Sequence, residues 1–205
     1  MASRASAREE PQTLTEALDR DPVEWRRAIE GELLSHVENG TWEPAQLPPG
    51  RVAISLNWVF KTMVNADGAL RYKARLFVRG FEQRDGLDYQ ETFAPVAKFT
   101  TVRVLLTLAA NFDWEVHQMD EKTAFLFTKL RDWVYMAPPE GYAEFLPAPP
   151  AYIPMMLRLL KSFYGLKQAP YVRYREIEGF LCSFGLVRSN QDHNLYVSLD
   201  LIVLL

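Results

Sequence analysis

Two adjacent acids, Asp120 and Glu121, stand at the end of a short alternating run from Trp114 to Met119. Trp114, Val116 and Gln118 fall on one side of that run and Glu115, His117 and Met119 on the other, the period of two that marks a β-strand. A carboxylate at the end of a strand is held rigidly, which suits a hard divalent cation such as Mg²⁺. The same placement suits Asp120 as the N-cap of a following helix, and one carboxylate does not choose between the two. A second group of chemically active residues lies upstream. Lys61, Arg71, Lys73, Arg75 and Arg79 are spread over two alternating runs that flank Asn65-Ala66-Asp67-Gly68. Asp-Gly between such runs signals a tight β-hairpin over 56–81. Its cations would form a phosphate-binding surface or a merely solvated one.

The elements that must position these groups follow from caps and periodicity. Thr13-Leu-Thr-Glu16 fits a capping box and starts a short helix. Asp21-Pro22 starts a second helix, whose apolar face is Trp25, Ala28, Ile29, Leu33 and Val37 and which Asn39-Gly40 ends. Pro44, Pro48, Pro49 and Gly50 indicate an extended linker. Residues 82–98 read as a loop. Thr100 or Thr101 caps a helix with Val102, Leu105, Leu106 and Ala109 on one face, leading into the strand before Asp120. A proline-rich loop runs from Pro138 through Pro154. Tyr164-Gly165-Leu166-Lys167-Gln168-Ala169-Pro170 then precedes a helix with Tyr174, Ile177, Leu181 and Phe184 on its apolar face, stopped by Gly185. Asn194 to Leu205 reads as a final strand.

Composition narrows the class. The chain has 205 residues, 48% of them hydrophobic, enough for a real core. No run of eighteen apolar residues suggests a membrane span, and MASRASAREEPQ has no apolar stretch of the kind a secretory signal needs. The single cysteine, Cys182, excludes an internal disulfide and is expected to be buried among Phe180, Leu181 and Phe184. His36, His117 and His193 share no zinc-ligand spacing. The net charge of −3 is unevenly spread: residues 51–103 carry 9 basic and 5 acidic groups, and residues 151–205 carry 6 and 4. Positive charge is therefore concentrated in the hairpin region and the last quarter, compatible with a local phosphate-binding surface.

QMDEKTAFL around Asp120 is similar to the QMDVKTAFL signature of Ty1/copia-type retrotransposon reverse transcriptases. Four further segments resemble the same family in the same order: NGTWEPAQLPPG (39–50), WVFKTMVNADGALRYKARLFVRGFEQRDGLDYQETFAPVAKFTTVR (58–103), VYMAPPEGY (134–142) and KSFYGLKQAP (161–170). The resemblance runs from about Leu14 to the last residue, and five ordered motifs make it specific. It implies an α+β fold, the fingers and partial palm of a right-hand polymerase with an N-terminal helical extension. Residues 1–12 would be a disordered leader, 13–55 the helical extension and linker, and 56–205 the fingers and partial palm.

The function so implied is RNA-directed DNA synthesis from deoxynucleoside triphosphates on an RNA or DNA template–primer, inside the cell, in the cytoplasm (within a virus-like particle in the intact family) or the nucleus. Two Mg²⁺ ions about 3.5–4 Å apart serve such nucleotidyl transfer. By the resemblance Asp120 is a catalytic metal ligand and the main-chain carbonyl of Glu121 another. Phe125 would lie beneath the sugar and exclude a 2′-hydroxyl. Lys73 and Arg75 would hold the incoming triphosphate and template, Gln168 would stand near the nascent base pair, and Lys61, Arg71, Arg79 and Lys167 are further nucleic-acid contacts. Three departures stand out. Glu121 replaces a usually apolar residue, Phe127-Thr128 stand for Asn-Gly, and Tyr171-Val172-Arg173 replace the usual Arg-Trp after Ala-Pro. The family's second metal motif, commonly Tyr-Val-Asp-Asp, is missing after LIVLL. The expectation is a chain inactive as a polymerase by itself, with a non-catalytic binding remnant or a functionless product as the alternatives, and with Leu201 to Leu205 on an exposed sheet edge.

Overall fold

The computed structural model describes residues 10–65, 67–119, 128–146 and 156–205. Capping chemistry sets the first two helices. Thr13 Oγ1 accepts the Glu16 N–H at 3.1 Å and opens α1 (Leu14–Arg20), while a Glu16 carboxylate oxygen accepts the Gln12 N–H at 2.9 Å. Asp21 opens α2 (Pro22–Glu38), its Oδ1 accepting the Glu24 N–H at 3.3 Å, with Pro22 in the first helical position. Trp25, Ile29, Leu33 and His36 form the buried face of α2. Val37, expected on that face, is exposed. His36 takes its place because each four-residue step overshoots a full turn by about 40°, so Val37 has drifted about 120° from Trp25 whereas His36 returns to within about 20° of it.

The hairpin forms as its turn dictates. β2 (Leu56–Val64) and β3 (Leu70–Val78) pair antiparallel, and the Asn65 N–H bonds the Ala69 carbonyl at 2.9 Å across the turn. Trp58, Phe60, Ala74 and Leu76 form the buried face. Trp25 of α2 meets the rings of Phe60 and Tyr72 edge-on at 5.1 and 4.9 Å. Side chains also satisfy N–H groups on the two free edges: Glu32 Oε1 accepts from Leu76 at 3.1 Å and the Glu10 carboxylate from Thr62 at 3.2 Å. An edge strand whose donors are satisfied in this way is a poorer template for unwanted pairing.

A three-stranded antiparallel sheet, in the order β1-β5-β4, forms from β1 (Trp42–Ala45), β4 (Tyr135–Met136) and β5 (Met156–Leu159). The linker expected around Pro44 is thus partly a strand; Pro44 is tolerated because β1 lies at the sheet edge. The His36 ring stacks on Phe163 at 4.5 Å and on Trp42 at 4.9 Å, joining α2, β1 and the loop after β5. Within the expected proline-rich loop, Tyr142–Phe145 make one turn of helix, α4, with Tyr142 and Phe145 buried. The rest of that loop, 147–155, lies outside the described residues.

The second half departs further from expectation. Helix α3 (Phe99–Phe112) begins after Lys98, and neither Thr100 nor Thr101 is its N-cap. Lys98 makes no side-chain cap bond; a residue from far along the chain ties down the start of the helix instead, as Asp192 Oδ2 accepts the Lys98 N–H at 2.9 Å and the Thr101 hydroxyl at 2.6 Å. Of the expected apolar face, Ala109 is buried and Leu106 is exposed. Residues 114–119, expected as a strand, are irregular and exposed. The Trp114 N–H bonds back to the Ala109 carbonyl at 2.9 Å and its ring stacks on Phe112 at 5.6 Å. Among the described residues no strand runs alongside to accept a ladder, so the alternation finds no sheet to join.

Helix α5 (Ala169–Ser183) starts after Gln168 with Pro170 in its first turn, and Gly185 at φ 83° follows its end. The expected single strand over 194–205 is instead part of a meander of β6 (Val187–Arg188), β7 (Leu195–Val197) and β8 (Ile202–Leu204). Ser198 breaks it: its N–H donates to the Leu201 carbonyl at 2.8 Å and its Oγ accepts the Leu201 N–H at 3.2 Å. Tyr196, Leu181 and Leu186 make a small core there, separate from the main cluster. Cys182 and Phe184, expected to be buried, are exposed. Leu181 occupies the inward position; Cys182, the next residue, is turned about 100° around the helix, and Phe184 lies just past its end.

Candidate nucleic-acid interface

The β2–β3 register decides where the hairpin cations go. Lys61 lies opposite Lys73, Met63 opposite Arg71 and Val59 opposite Arg75. Since side chains alternate along a strand, all four cations share the face opposite Trp58, Phe60, Ala74 and Leu76. Like charges placed opposite one another repel. Burial, and then repulsion by Arg75 and Arg71, hold the Lys73 ammonium below the ordinary lysine range, partly offset by Glu32. Phe77 continues the same face. Its ring meets Tyr164 at 5.3 Å, and the Arg75 guanidinium lies over the Tyr164 ring, also at 5.3 Å. Arg79, just past β3, donates from Nε and Nη2 to Asn57 Oδ1 at 2.9 and 2.6 Å.

Tyr164 belongs to the loop before α5, and glycines let that loop lie against the hairpin. The Val78 N–H donates to the Tyr164 carbonyl at 2.9 Å. A Cβ on Gly165 would meet the Val78 carbonyl oxygen at 2.2 Å, and one on Gly80 would meet the Gly165 carbonyl oxygen at 2.0 Å. Cations, two aromatic rings and a closely docked loop thus form one surface. Guanidinium and ammonium groups beside aromatic faces suit a phosphate backbone carrying bases that can stack.

A profile described as reverse transcriptase (RNA-dependent DNA polymerase) matches residues 39–204 of this chain. The chain belongs to the Ty1/copia-type reverse transcriptases. It is 41% identical over 198 residues to the retrovirus-related Pol polyprotein from transposon RE2 of Arabidopsis thaliana, covering 96% of this chain and 13% of that protein. It is 40% identical over 199 residues to the RE1 polyprotein of the same plant, covering 96% and 13%. Against the polyprotein from transposon TNT 1-94 of Nicotiana tabacum it is 41% identical over 189 residues, covering 91% and 14%. The chain therefore spans about an eighth of the length of these relatives. No solved structure matches it significantly.

Within this reverse transcriptase domain the expected residues fall into three groups. Lys61, Arg71, Lys73 and Arg75 come together on the hairpin face, with Arg79 adjoining it. Gln168 and Lys167 lie on the docked loop. Gln168 is 1% exposed and its amide is turned inward, donating to the Asp88 carbonyl at 3.0 Å and Asp132 Oδ2 at 3.2 Å. Asp120, Glu121 and Phe125 lie outside the described residues. No three His, Cys, Asp or Glu side chains converge as a metal-holding group among the described residues, so these alone do not fit a two-magnesium centre. Asp88 is held instead by Arg51 at 3.2 Å and by the Arg84 N–H at 2.8 Å. No helix among the described residues is long and apolar enough to cross a membrane. Phe77 and Tyr164 join this surface without having been expected there. The glycine after Tyr164 was a usable signal of close approach; nothing in the sequence distinguishes the buried Gln83 from a surface glutamine.

Proposed function

We propose that this reverse transcriptase domain supplies the fingers and part of the palm of an RNA-directed DNA polymerase. The open face of the β2–β3 hairpin carries the template–primer and the incoming deoxynucleoside triphosphate. The observation that supports this is the register, which aligns Lys61, Arg71, Lys73 and Arg75 on one side while the other side is packed against α2. Residues 13–55 then act as a brace for the fingers, through α2 under the hairpin. Asp120 and the Glu121 carbonyl remain its proposed magnesium ligands and Phe125 its proposed sugar-discriminating ring.

The isolated chain is expected to bind an RNA–DNA duplex, with log affinity falling linearly in log salt by roughly 0.7–0.9 per phosphate contact. Charge reversal by Arg71→Glu, Lys73→Glu and Arg75→Glu together should weaken binding by at least about tenfold, with a shallower salt dependence. Unchanged affinity would dismiss the hairpin as the interface. No Asp-Asp pair occurs among its 205 residues, so Mg²⁺-dependent primer extension by this chain alone is expected to give no product. Incorporation that Asp120→Asn abolishes would overturn that expectation.

A further inference from the structure

Gln83 follows the short 3₁₀ turn, Gly80–Glu82, that leaves β3, and it is only 4% exposed. Its Oε1 accepts the Lys167 main-chain N–H at 2.8 Å, and its Nε2 donates to Gln168 Oε1 at 3.0 Å. Its main-chain carbonyl accepts from Lys167 Nζ at 3.2 Å. The amide orientations are dictated. A peptide N–H only donates, so Gln83 must turn its oxygen to Lys167 and its nitrogen to Gln168. Gln168 then presents its oxygen to Gln83 and its two N–H groups to the Asp88 carbonyl and the Asp132 carboxylate. With both donors spent and the side chain buried, Gln168 serves as an internal tie.

Lys167 is different, because it is exposed. Its ammonium lies over the Tyr89 ring at 4.9 Å, with the Tyr89 hydroxyl at 3.3 Å. An ammonium has three donors; among the described residues the Gln83 carbonyl and the Tyr89 hydroxyl take two, leaving one for a ligand. A lysine already held in place loses little further freedom when it binds an anion. Two residues along the same loop, the Gly165 backbone packs on Val78, and one residue further Tyr164 meets Arg75. Lys167 thus stands three residues along the loop whose Tyr164 meets the hairpin cation Arg75.

We propose that Gln83 and Tyr89 are positioning residues that hold Lys167 as a preorganised contact for a phosphate group of the template–primer, an inference that rests on the nucleic-acid-binding reading above. Duplex affinity of the full chain tests it by a double-mutant cycle. Lys167→Ala, Gln83→Leu and Tyr89→Leu should each weaken binding about fivefold, and Lys167→Ala should flatten the salt dependence by roughly 0.7–0.9. Gln83→Leu combined with Lys167→Ala should bind no more weakly than Lys167→Ala alone, since both remove one contact. If Gln83→Leu does not fold, Tyr89→Leu, at a half-buried ring, completes the same cycle. Multiplicative losses, or wild-type affinity in Lys167→Ala or in both positioning variants, would overturn the proposal. A loss that emerges only when a deoxynucleoside triphosphate is added would overturn the template–primer assignment and give the phosphate to the nucleotide. Hairpin charge reversal separates the two levels: if it weakens binding and Lys167→Ala does not, the positioning role alone fails.

Discussion

Asp192 shows how one carboxylate joins two distant parts of the chain. It accepts hydrogen bonds from the Thr101 hydroxyl, the Lys98 N–H and the Asn194 N–H, and these in that order hold it below the ordinary carboxylate range. Removing an acceptor so that its donors are left unpaired costs about 1–3 kcal/mol, so Asp192→Ala should lower stability by that amount in urea unfolding. The pH sign follows from the direction of the shift. A group whose folded-state pKa is depressed contributes stability above its unfolded value and loses it as pH falls through the folded one. Acidification should therefore destabilise the wild type over that window more than Asp192→Asn, which keeps the acceptor oxygen without the charge. Parallel pH profiles for the two would show that the carboxylate charge contributes nothing.

Between elements, the tightest constraint is the contact of the hairpin with the loop before α5. Gly165 combines φ 91° with a backbone neighbour that leaves no room for a Cβ. Gly165→Ala should destabilise by more than about 1 kcal/mol, since it adds strain in the left-handed region to a clash with main chain. Gly179, within α5, has open space where a Cβ would stand, with no neighbouring atom within 4 Å, so Gly179→Ala should stabilise by up to about 1 kcal/mol. Thermal melting of the two variants reads both signs, and equal effects would refute the close-approach argument. The loop contact also connects the cationic strand to Tyr164 and Lys167, so its loss is expected to affect duplex binding as well as stability.

Across the molecule, the hydrophobic core is divided unequally. The main cluster joins α1, α2, the hairpin and the β1-β5-β4 sheet, whereas Leu181, Leu186 and Tyr196 form a much smaller one under α5 and the last meander. Tyr196 compensates in part with a polar link: its hydroxyl meets that of Tyr174 at 3.2 Å, and Arg188 bonds Tyr174 at 3.2 Å and Glu178 at 2.6 Å. A small core with short strands opens more readily than a large one. Amides of β6 to β8 should therefore exchange with solvent through a lower-energy opening than those of β2 and β3, measurable by native-state hydrogen exchange. Identical opening energies would mean that the two clusters unfold as one unit. Phe99, Val104, Leu106 and Phe112 on α3 are exposed, as are Leu201 and Leu205 by the last strand.

Much of this is legible in the sequence because its causes are local. Thr13, Asp21 and Pro22 start helices through bonds within one turn; Asp67-Gly68 sets the hairpin tip; and the ordered motifs from Asn39 to Pro170 place the chain in its family. The departures all depend on residues far apart in the chain. Asp192 ties down the start of a helix more than ninety residues upstream, and residues 114–119 alternate without a neighbouring strand among the described residues. Hydrophobic character points Cys182 and Val37 inward, but helix rotation against the actual core turns them outward. In the interface, sequence supplies the cation positions, because strand alternation alone puts Arg71, Lys73 and Arg75 on one side. Only the tertiary structure turns Gln168 inward, sets Lys167 against Tyr89 and brings Tyr164 to Arg75. Those outcomes depend on which backbones approach closely and which donors remain unpaired once they do; Gly165 signals that an approach occurs, but no local pattern says to which partner.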